Sequence, residues 1–394
     1  IMNFTKSVKR VKESLTIGMS RKARELKAQG KDVISLSLGE PDFDTPAHIK
    51  EAAKQAMDSG KTKYPPVGGI AELKEAIVNK YKKGYDLNFA HNQVLVSTGA
   101  KQCLMNLMLS LVQEGDEVVI PLPYWVSYSE MVNFAGGKAV FVPAEFEKGF
   151  AIDINKLRES INEKTKVIIF SSPSNPAGSM LSDEQLKQIA DIVKENPQVT
   201  IISDEIYEHI VFDGEHKSIS QFDEILDQLV IVNGVSKGFS MTGWRIGYMV
   251  GPAELISTCD KIQGQFTSGA NSIAQWAAVE ALNSDLKPTE DMVATFKKRR
   301  NLMLELLKDI PGMEVDTPKG AFYLFPKISS YFGKELGGKT INSSLDLCDY
   351  LLEHALVSLV PGVAFGMDDH IRISYASSEA QLREAVQRIK EALA

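Results

Sequence analysis

The sequence has 394 residues, of which 44% are hydrophobic and 24% are charged, as in folded globular proteins and unlike disordered or fibrous chains. Its 44 Lys and Arg are outnumbered by 51 Asp and Glu, and the formal net charge of -7 argues against a general nucleic-acid binder. No run approaches the roughly 20 apolar residues of a membrane span, and the cysteines and histidines lack metal-ligand spacing, so we expect a cytoplasmic protein without a metal site or membrane partner.

Short β-branched runs alternate with longer amphipathic segments from about residue 34 to residue 250. Ser182 and Gln185 have the spacing of a capping box at the start of one of the intervening helices. Nearly continuous apolar strands that alternate with helices predict a mainly parallel sheet covered on both faces, which is an α/β domain. The predicted strands are Val94–Ser97, Glu117–Ile120, Lys166–Phe170, Val199–Ile202, Leu229–Val232 and Ile246–Val250.

From about Lys287 the pattern changes to a charged helix followed by short strands and further helices, which predicts a smaller α+β unit. The predicted elements after this helix are a strand at Ala321–Phe325, a helix near Leu345–His354 and a strand at Ile371–Ser374. No long Gly/Ser linker separates the units. We predict a large domain over residues 46–286 and a small domain built from residues 1–45 and 287–394.

Parallel α/β sheets bind ligands beyond the carboxyl ends of their strands, so the residues that follow each strand are the candidates for chemistry. After the first strand, the small residues Gly99 and Ala100 precede Lys101 and open a helix. Free backbone N–H groups and the positive end of the helix dipole could bind a phosphate there. The loop lacks the Gly-Lys-Ser/Thr ending of a Walker loop, so an ordinary strand-to-helix turn remains open.

Two further strand ends carry polar side chains. Asn175 lies in a turn that two prolines and a glycine make rigid, although the amide could serve the turn alone. Asp204 leaves an apolar strand, where a partly desolvated carboxylate needs a cationic partner, and Tyr207 follows it by one helical turn. An N-cap role is the alternative for Asp204.

The segment from Gly234 to Gly247 is the most specific signal in the chain. Lys237 and Arg245 bracket small residues and hydroxyls, with almost no acid nearby to neutralise them. Two such cations favour an anionic ligand. Because a lysine among cations and apolar groups has its ammonium form disfavoured, Lys237 also meets the condition for an amine nucleophile that forms Schiff bases.

This segment resembles the lysine-attachment signature of class I aminotransferases, the fold type I pyridoxal phosphate enzymes. The other segments that resemble this family are Leu38–Pro46, Tyr64, Pro123–Trp125, Asn175–Pro176, Ser203–Tyr207 and Ile371–Ser374. Within the family the chain is most similar to bacterial-type aspartate aminotransferases. The resemblance implies a large domain with a mainly parallel seven-stranded sheet beside a smaller α+β domain.

The resemblance also implies roles around a pyridoxal 5′-phosphate ring. Lys237 would bind the cofactor covalently and then move a proton between two carbons. Asp204 would pair with the pyridine nitrogen and make the ring an electron sink. Tyr207 and Asn175 would hydrogen-bond the ring hydroxyl, and Trp125 would lie against the ring face.

By the same resemblance, the cofactor phosphate lies in a cradle that two subunits share. Its implied contacts are Arg245, Ser236, the backbone of Gly99, Ala100 and Lys101, and Tyr64 from the other subunit. A homodimer with shared active sites is therefore expected.

For the substrate, Arg372 would bind the α-carboxylate in a bidentate fork next to the backbone of Gly39, with Trp125 and Asn175 at the same site. Lys101 would reach a second carboxylate. Thr16, together with Lys101, resembles a pair found in relatives that also transaminate prephenate, although Thr16 could instead cap the helix region from Met19 to Ala28 or pack at the mouth of the cleft. The implied activity is reversible amino transfer between L-aspartate and 2-oxoglutarate, with amino acids and 2-oxo acids as small-molecule partners.

Several alternatives use the same fold or composition. An aromatic-preferring aminotransferase and a cysteine-conjugate β-lyase would employ the same cofactor residues. A non-catalytic effector-binding module of this fold would need a DNA-binding segment, and the roughly 15 residues before Leu15 are too few for a helix-turn-helix. A nicotinamide dehydrogenase would need a Gly-x-Gly-x-x-Gly run after a strand, which the sequence lacks.

The chain departs from the family pattern at three places. Gly234 stands where many relatives have Ser, so one phosphate hydroxyl is missing, and Ser174 to Gly178 replaces an Asn-Asn-Pro-Thr-Gly turn while keeping the Asn175 amide. In the stretch from Gln263 to Ser272 no individual residue matches well enough to assign a partner-subunit substrate contact.

Overall fold

A seven-stranded sheet forms the centre of the larger unit in this computed structural model, which describes residues 2–394. In chain order its strands are Val94–Ser97, Glu117–Pro121, Lys138–Val142, Thr165–Ser171, Thr200–Asp204, Leu229–Gly234 and Gly247–Val250. Their spatial order is first, seventh, sixth, fifth, fourth, second, third. The seventh strand runs antiparallel to both of its neighbours, and the pairs among the other strands are parallel. The predicted mainly parallel seven-stranded sheet is confirmed.

Six of these strands coincide with predicted ones to within a few residues, and Lys138–Val142 is the strand that the sequence analysis did not predict. It lies at the edge of the sheet, where it pairs only with Glu117–Pro121 among the described strands. Phe141 is 45% exposed, so the strand lacks the continuous apolar run that marks the buried strands.

Helices pack on both faces of this sheet, and successive strand residues enter different cores. Val94 and Val96 pack with Leu73 on one face, whereas Leu95 packs with Leu104 on the other. This alternation explains why the central strands are apolar at nearly every position. The helices of this part are Ala47–Asp58, Ala71–Tyr85, Ala100–Leu111, Ser127–Ala135, Ile154–Ser160, Asp183–Glu195, Ala253–Phe266 and Ser272–Asn283.

The helix that begins at Asp183 has half of the expected capping box. The Ser182 hydroxyl accepts a hydrogen bond from the Gln185 backbone N–H at 3.2 Å, as predicted. The reciprocal bond is absent from the described residues, so the capping-box prediction is wrong in this half. The Gln185 side chain instead donates to the Ile152 carbonyl oxygen at 3.2 Å, because the short Ala151–Ile152 strand lies within its reach.

The smaller unit joins an early segment to the C-terminal third of the chain. Ile34–Ser35 pairs in parallel with Val357–Ser358, and Met19 and Ala23 enter the same core as Phe296. This packing supports the predicted division at residues 46 and 286, which remains a prediction. The elements here are the helices Leu15–Ala28, Lys287–Leu307, Ser344–His354 and Glu379–Leu393, and the strands Tyr323–Leu324, Val360–Pro361 and Ile371–Ser374.

The strand predicted at Ala321–Phe325 is shorter in the structure, where it covers Tyr323–Leu324. Ala321 has a φ of 58°, in the left-handed region, and its N–H donates to the Ile210 carbonyl oxygen at 2.9 Å. The backbone therefore turns before Tyr323 and cannot extend the strand.

The first residues of the chain cross to the larger unit. Arg10 donates from Nε to the Asn133 carbonyl oxygen at 2.8 Å, and the Lys12 N–H donates to Glu130 at 2.7 Å. Both acceptors belong to the Ser127–Ala135 helix. Over residues 2–394, the structure contains no helix with the length and apolar character that crossing a bilayer requires.

Candidate active site

A cavity of about 260 Å³ lies at the carboxyl ends of the parallel strands. Helix starts, strand ends and the segment before Leu15–Ala28 all contribute to its wall. The residues predicted from the sequence that line it are Thr16, Gly39, Ala100, Lys101, Trp125, Asn175, Asp204, Tyr207, Ser236, Lys237, Arg245 and Arg372. Residues as far apart in the sequence as Thr16 and Arg372, which are separated by 356 positions, therefore line one cavity.

One part of the wall is built to hold an anion. Gly99, with a φ of 79°, precedes the helix Ala100–Leu111 and lies against the Arg245 guanidinium so closely that a Cβ on Gly99 would overlap it. Ala100 packs equally closely on Gly247, whose Cβ would overlap the Ala100 nitrogen. The free N–H groups of the helix and the guanidinium therefore lie side by side, which is an arrangement that binds phosphate. Ser236 adds a hydroxyl to the same cavity.

Local packing explains why position 234 is a glycine. Gly234 and Gly247 are directly paired on neighbouring antiparallel strands. A Cβ at Gly234 would lie 2.9 Å from the Ile246 carbonyl oxygen and 3.2 Å from Ile206 Cδ1. The serine of many relatives would need this contact to relax, so the glycine matches the close approach of these strands.

Lys237 extends into the cavity and donates a hydrogen bond to the Gly39 carbonyl oxygen. Burial lowers the pKa of its ammonium group to about 8, and the positive charges of Arg372 and Arg245 act in the same direction, whereas Glu40 opposes them. At pH 7 roughly a tenth of the side chain is then the neutral amine, far more than for a lysine with an ordinary pKa. This is the state that a nucleophile or a proton acceptor needs.

Asp204 lies deep in the cavity wall, 4% exposed. Burial raises the pKa of its carboxyl group to about 6, although a hydrogen bond from the Tyr128 hydroxyl to Oδ2 at 2.5 Å lowers it. Oδ1 accepts the Ile206 N–H at 3.3 Å, and residues 206–209 form turns, so Asp204 does not cap a helix. A cationic ligand nitrogen would compensate this desolvated carboxylate.

Tyr128 is a site residue that the sequence analysis missed. Its ring packs edge-on against Trp125 with 5.5 Å between centroids, and its hydroxyl reaches Asp204. Because Tyr128 follows Trp125 by three positions where a helix begins, the spacing could have shown that both face the same side.

Arg372 lines the same cavity, where its hydrogen bonds fix the guanidinium in an orientation that can bind an anion. Its two terminal nitrogens donate to Asn175 Oδ1 at 2.9 Å and to the Ser37 carbonyl oxygen at 2.8 Å. Arg372 is 2% exposed, and among residues 2–394 no carboxylate lies within salt-bridge distance of it. Its charge is therefore not neutralised by a protein carboxylate, and Nε lacks a hydrogen-bond partner in the same part of the chain.

A second cation occupies the cavity mouth. Lys101 lies in the first turn of its helix with Nζ 5.0 Å from the centroid of the Trp125 ring. Burial and the neighbouring Arg245 lower the pKa of its ammonium group. The cavity thus offers separate cations to two carboxylates.

Thr16 lines the mouth of the cavity near Lys101. It is the second residue of the helix Leu15–Ala28, and Ser14 occupies the N-cap position, so Thr16 does not cap the helix. Its buried Oγ1 has no hydrogen-bond partner within the described part of the chain.

Tyr64 lies away from this cavity. Its side chain is 96% exposed and borders a separate depression with Pro65 and Asn271. Within one chain it does not reach the site, and its predicted contact with a neighbouring subunit remains a prediction.

A group of potential metal ligands lies behind the Asp204 strand end. Glu205, Glu208 and His216 approach one another there, but Lys80 forms an ion pair with Glu208, and Ser218 donates to Glu205 at 2.6 Å. The carboxylates are therefore already compensated by protein groups.

The residues of the cavity fit pyridoxal 5′-phosphate. The glycine-lined helix start and Arg245 match the phosphate, the amine of Lys237 matches the aldehyde, and the buried Asp204 matches a protonated ring nitrogen. Trp125 offers an aromatic face at the side of the cavity.

Comparisons with known proteins agree with this geometry. Residues 31–389 match the family model of aminotransferases class I and II. The chain is 46% identical over 384 residues to an aspartate/prephenate aminotransferase of Cereibacter sphaeroides, with 97% of this chain and 96% of that protein covered.

Two solved structures are also similar. The aspartate aminotransferase of Rhizobium meliloti aligns with a TM-score of 0.96 at 40% identity, covering 100% of this chain and 99% of that one. The aspartate aminotransferase of Thermus thermophilus with maleate gives a TM-score of 0.93 at 39% identity and covers both chains completely. The chain therefore belongs to the class I and II aminotransferases, and this membership confirms the predicted fold type I architecture, the transaminase activity and the pyridoxal phosphate cofactor.

Proposed function

We propose that the protein is an aspartate aminotransferase that transfers the amino group of L-aspartate to 2-oxoglutarate in a ping-pong reaction. The observation that carries this substrate choice is that the cavity holds four basic side chains, of which Arg372 and Lys101 are left for the substrate when Lys237 and Arg245 serve the cofactor. Arg372 lacks a carboxylate partner within residues 2–394, and Lys101 lies at the mouth above Trp125. A dicarboxylate neutralises both cations, whereas alanine or phenylalanine leaves Lys101 unpaired.

The cofactor, when bound, supplies the electron sink that stabilises a carbanion at the substrate α-carbon. We assign its phosphate to Arg245, Ser236 and the N–H groups of Gly99, Ala100 and Lys101. The carboxylate of Asp204, oriented by Tyr128, would hold a proton on the ring nitrogen.

The remaining site residues orient the ring and move the proton. Tyr207 and Asn175 would hydrogen-bond the ring oxygen, and Trp125 would lie against one face of the ring. Lys237, with its depressed pKa, would accept the proton of the substrate α-carbon and deliver it to the aldehyde-derived carbon of the cofactor. Arg372 and the Gly39 backbone fix the α-carboxylate, so that the bond to be broken faces Lys237.

Prephenate is proposed as a further amino acceptor. Its side chain carries a second carboxylate on a ring, which Lys101 could pair with. The Thr16 hydroxyl is buried and free of partners in the part of the chain that the structure describes, so it can donate a hydrogen bond to that ring or its carboxylate.

We further propose a cytoplasmic homodimer in which Tyr64 completes the partner's phosphate site. The nearly complete exposure of Tyr64 in one chain supports this assignment, since an aromatic side chain at a shared site is buried only in the dimer. Sedimentation at assay concentration tests it, and a fully active monomer would exclude it.

A panel of amino donors, each mixed with the cofactor-loaded enzyme and followed by absorbance, tests the substrate class. Aspartate and glutamate should react far faster than alanine, phenylalanine or tyrosine. A preference for the aromatic donors would identify an aromatic-preferring aminotransferase instead. Release of pyruvate from cysteine conjugates without an amino acceptor would identify a β-lyase. The aminated enzyme should then react with oxaloacetate and with prephenate.

A further inference from the structure

Tyr323 joins the two halves of the site, although no motif in the chain marks it as a site residue. It is fully buried on the short strand Tyr323–Leu324 of the smaller unit. Its hydroxyl lies 2.7 Å from the hydroxyl of Tyr207, which belongs to the larger unit. Its ring lies below the Arg372 guanidinium, 4.4 Å from centroid to Cζ.

The hydroxyl contact determines where the Tyr207 proton points. Each phenol carries one proton and can donate once. If Tyr207 donates to the cofactor ring oxygen, as the proposed function requires, then the 2.7 Å contact must be donated by Tyr323. A donor to Tyr207 polarises the Tyr207 O–H bond and strengthens the bond that Tyr207 itself donates.

The ring contact determines how Arg372 is held. Asn175 and Ser37 accept bonds from the two terminal nitrogens, and the aromatic face of Tyr323 supports the plane of the guanidinium from one side. A buried cation over an aromatic face is stabilised without losing its hydrogen-bond donors. The planar fork therefore stays oriented for a carboxylate.

We propose that Tyr323 is a positioning residue with two separable roles, one through its hydroxyl on Tyr207 and one through its ring on Arg372. This inference rests on the proposed function. It predicts that removing the hydroxyl changes the electronic state of the bound cofactor, whereas removing the ring changes the affinity for a carboxylate.

The test uses the cofactor-loaded enzyme and two substitutions at one position. Tyr323→Phe removes the hydroxyl and keeps the ring, and Tyr323→Leu removes both. The first readout is the pH at which the absorption of the lysine-bound cofactor changes. The ring oxygen of the bound cofactor shares a proton with the nitrogen that joins the cofactor to Lys237. A hydrogen bond donated to this oxygen makes it a weaker base. If that hydrogen bond becomes weaker, the proton is held more tightly and the absorption changes at a higher pH. We expect an upward shift of roughly 0.5 unit in Tyr323→Phe.

The second readout is the binding of maleate, a dicarboxylate that the enzyme cannot aminate. Tyr323→Phe should bind it within about twofold of the unsubstituted enzyme, and Tyr323→Leu should bind it about tenfold more weakly. Tyr350→Phe is the matched control. Its hydroxyl is also bonded in the smaller unit, to the Ala392 carbonyl oxygen at 2.7 Å, but the residue lies outside the cavity, so both readouts should stay unchanged.

An unshifted absorption change in Tyr323→Phe would overturn the role of the hydroxyl, and unchanged maleate affinity in Tyr323→Leu would overturn the role of the ring. Failure of the proposed function looks different. In that case the unsubstituted enzyme itself would show no lysine-bound cofactor or no affinity for maleate.

Discussion

Replacing Lys101 with glutamine should separate dicarboxylate substrates from all others. The substitution removes the positive charge at the cavity mouth but keeps a polar side chain of similar reach above Trp125. The phosphate cradle keeps its backbone N–H at position 101. Cofactor binding should therefore change little, and the loss should depend on the second carboxylate of the substrate.

The magnitude follows from the exposure of the Lys101 side chain, which is substantial in this structure. A solvent-exposed ion pair contributes about 0.2–1 kcal/mol, whereas truncating one partner of a buried pair costs about 2–5 kcal/mol. A bound dicarboxylate would exclude part of the water at the mouth. We therefore expect a loss of about 2 kcal/mol in kcat/KM, or roughly 30-fold, for aspartate and glutamate.

The assay is the amino-donor half-reaction, measured with aspartate, glutamate, alanine and phenylalanine for each variant. Alanine and phenylalanine should lose less than about threefold, because their side chains do not contact the charge. Lys61→Gln is the control, since it removes a lysine located 4.9 Å above Trp276, outside the cavity. Equal losses for all four donors would refute the reasoning and would mean that Lys101 serves the cofactor.

Three further outcomes follow from the structure. The rate at which the cofactor-free protein binds pyridoxal phosphate should increase as pH rises, with a midpoint near 8, because the neutral amine of Lys237 is the reactive form. A rate that is constant from pH 6 to pH 10 would contradict the lowered pKa. Gly247→Ala should lower the free energy of unfolding by roughly 1–3 kcal/mol and weaken cofactor binding, because its Cβ would overlap Ala100. Gly243→Ala is the control, since open space surrounds its Cβ among the described residues. In urea titrations its free energy of unfolding should stay within about 0.5 kcal/mol of the unsubstituted value. Thr16→Val should leave the free energy of unfolding unchanged or raise it by up to about 1 kcal/mol, because it removes a buried hydroxyl without a partner in residues 2–394. In the same variant, kcat/KM for prephenate should fall several-fold, while kcat/KM for oxaloacetate is retained.

The central strands could be predicted because they are buried on both faces. Leu229–Gly234, for example, has buried residues at every position, so composition alone marks it. The edge strand Lys138–Val142 and the shortened Tyr323–Leu324 strand escaped prediction. Their limits depend on neighbours that are distant in sequence, such as Ile210, which accepts the Ala321 N–H.

The site residues could be predicted where they belong to contiguous motifs. Lys237, Arg245 and Asp204 follow strands and carry the resemblance to the family. Tyr128 and Tyr323 were missed because a buried tyrosine in a helix or strand has the pattern of a core residue. Their contacts with Asp204, Tyr207 and Arg372 distinguish them from core residues, and for Tyr128 the spacing from Trp125 is an additional signal.

The most direct test of the account is the covalent attachment of the cofactor. Reduction of the loaded enzyme with borohydride, followed by peptide mapping, should give a single pyridoxyl-labelled peptide that contains Lys237. Lys237→Ala should yield no label and no amino transfer, while its far-ultraviolet circular dichroism matches that of the unsubstituted protein. A label on another lysine, together with retained turnover in Lys237→Ala, would contradict the assignment of Lys237 as the residue that binds the cofactor.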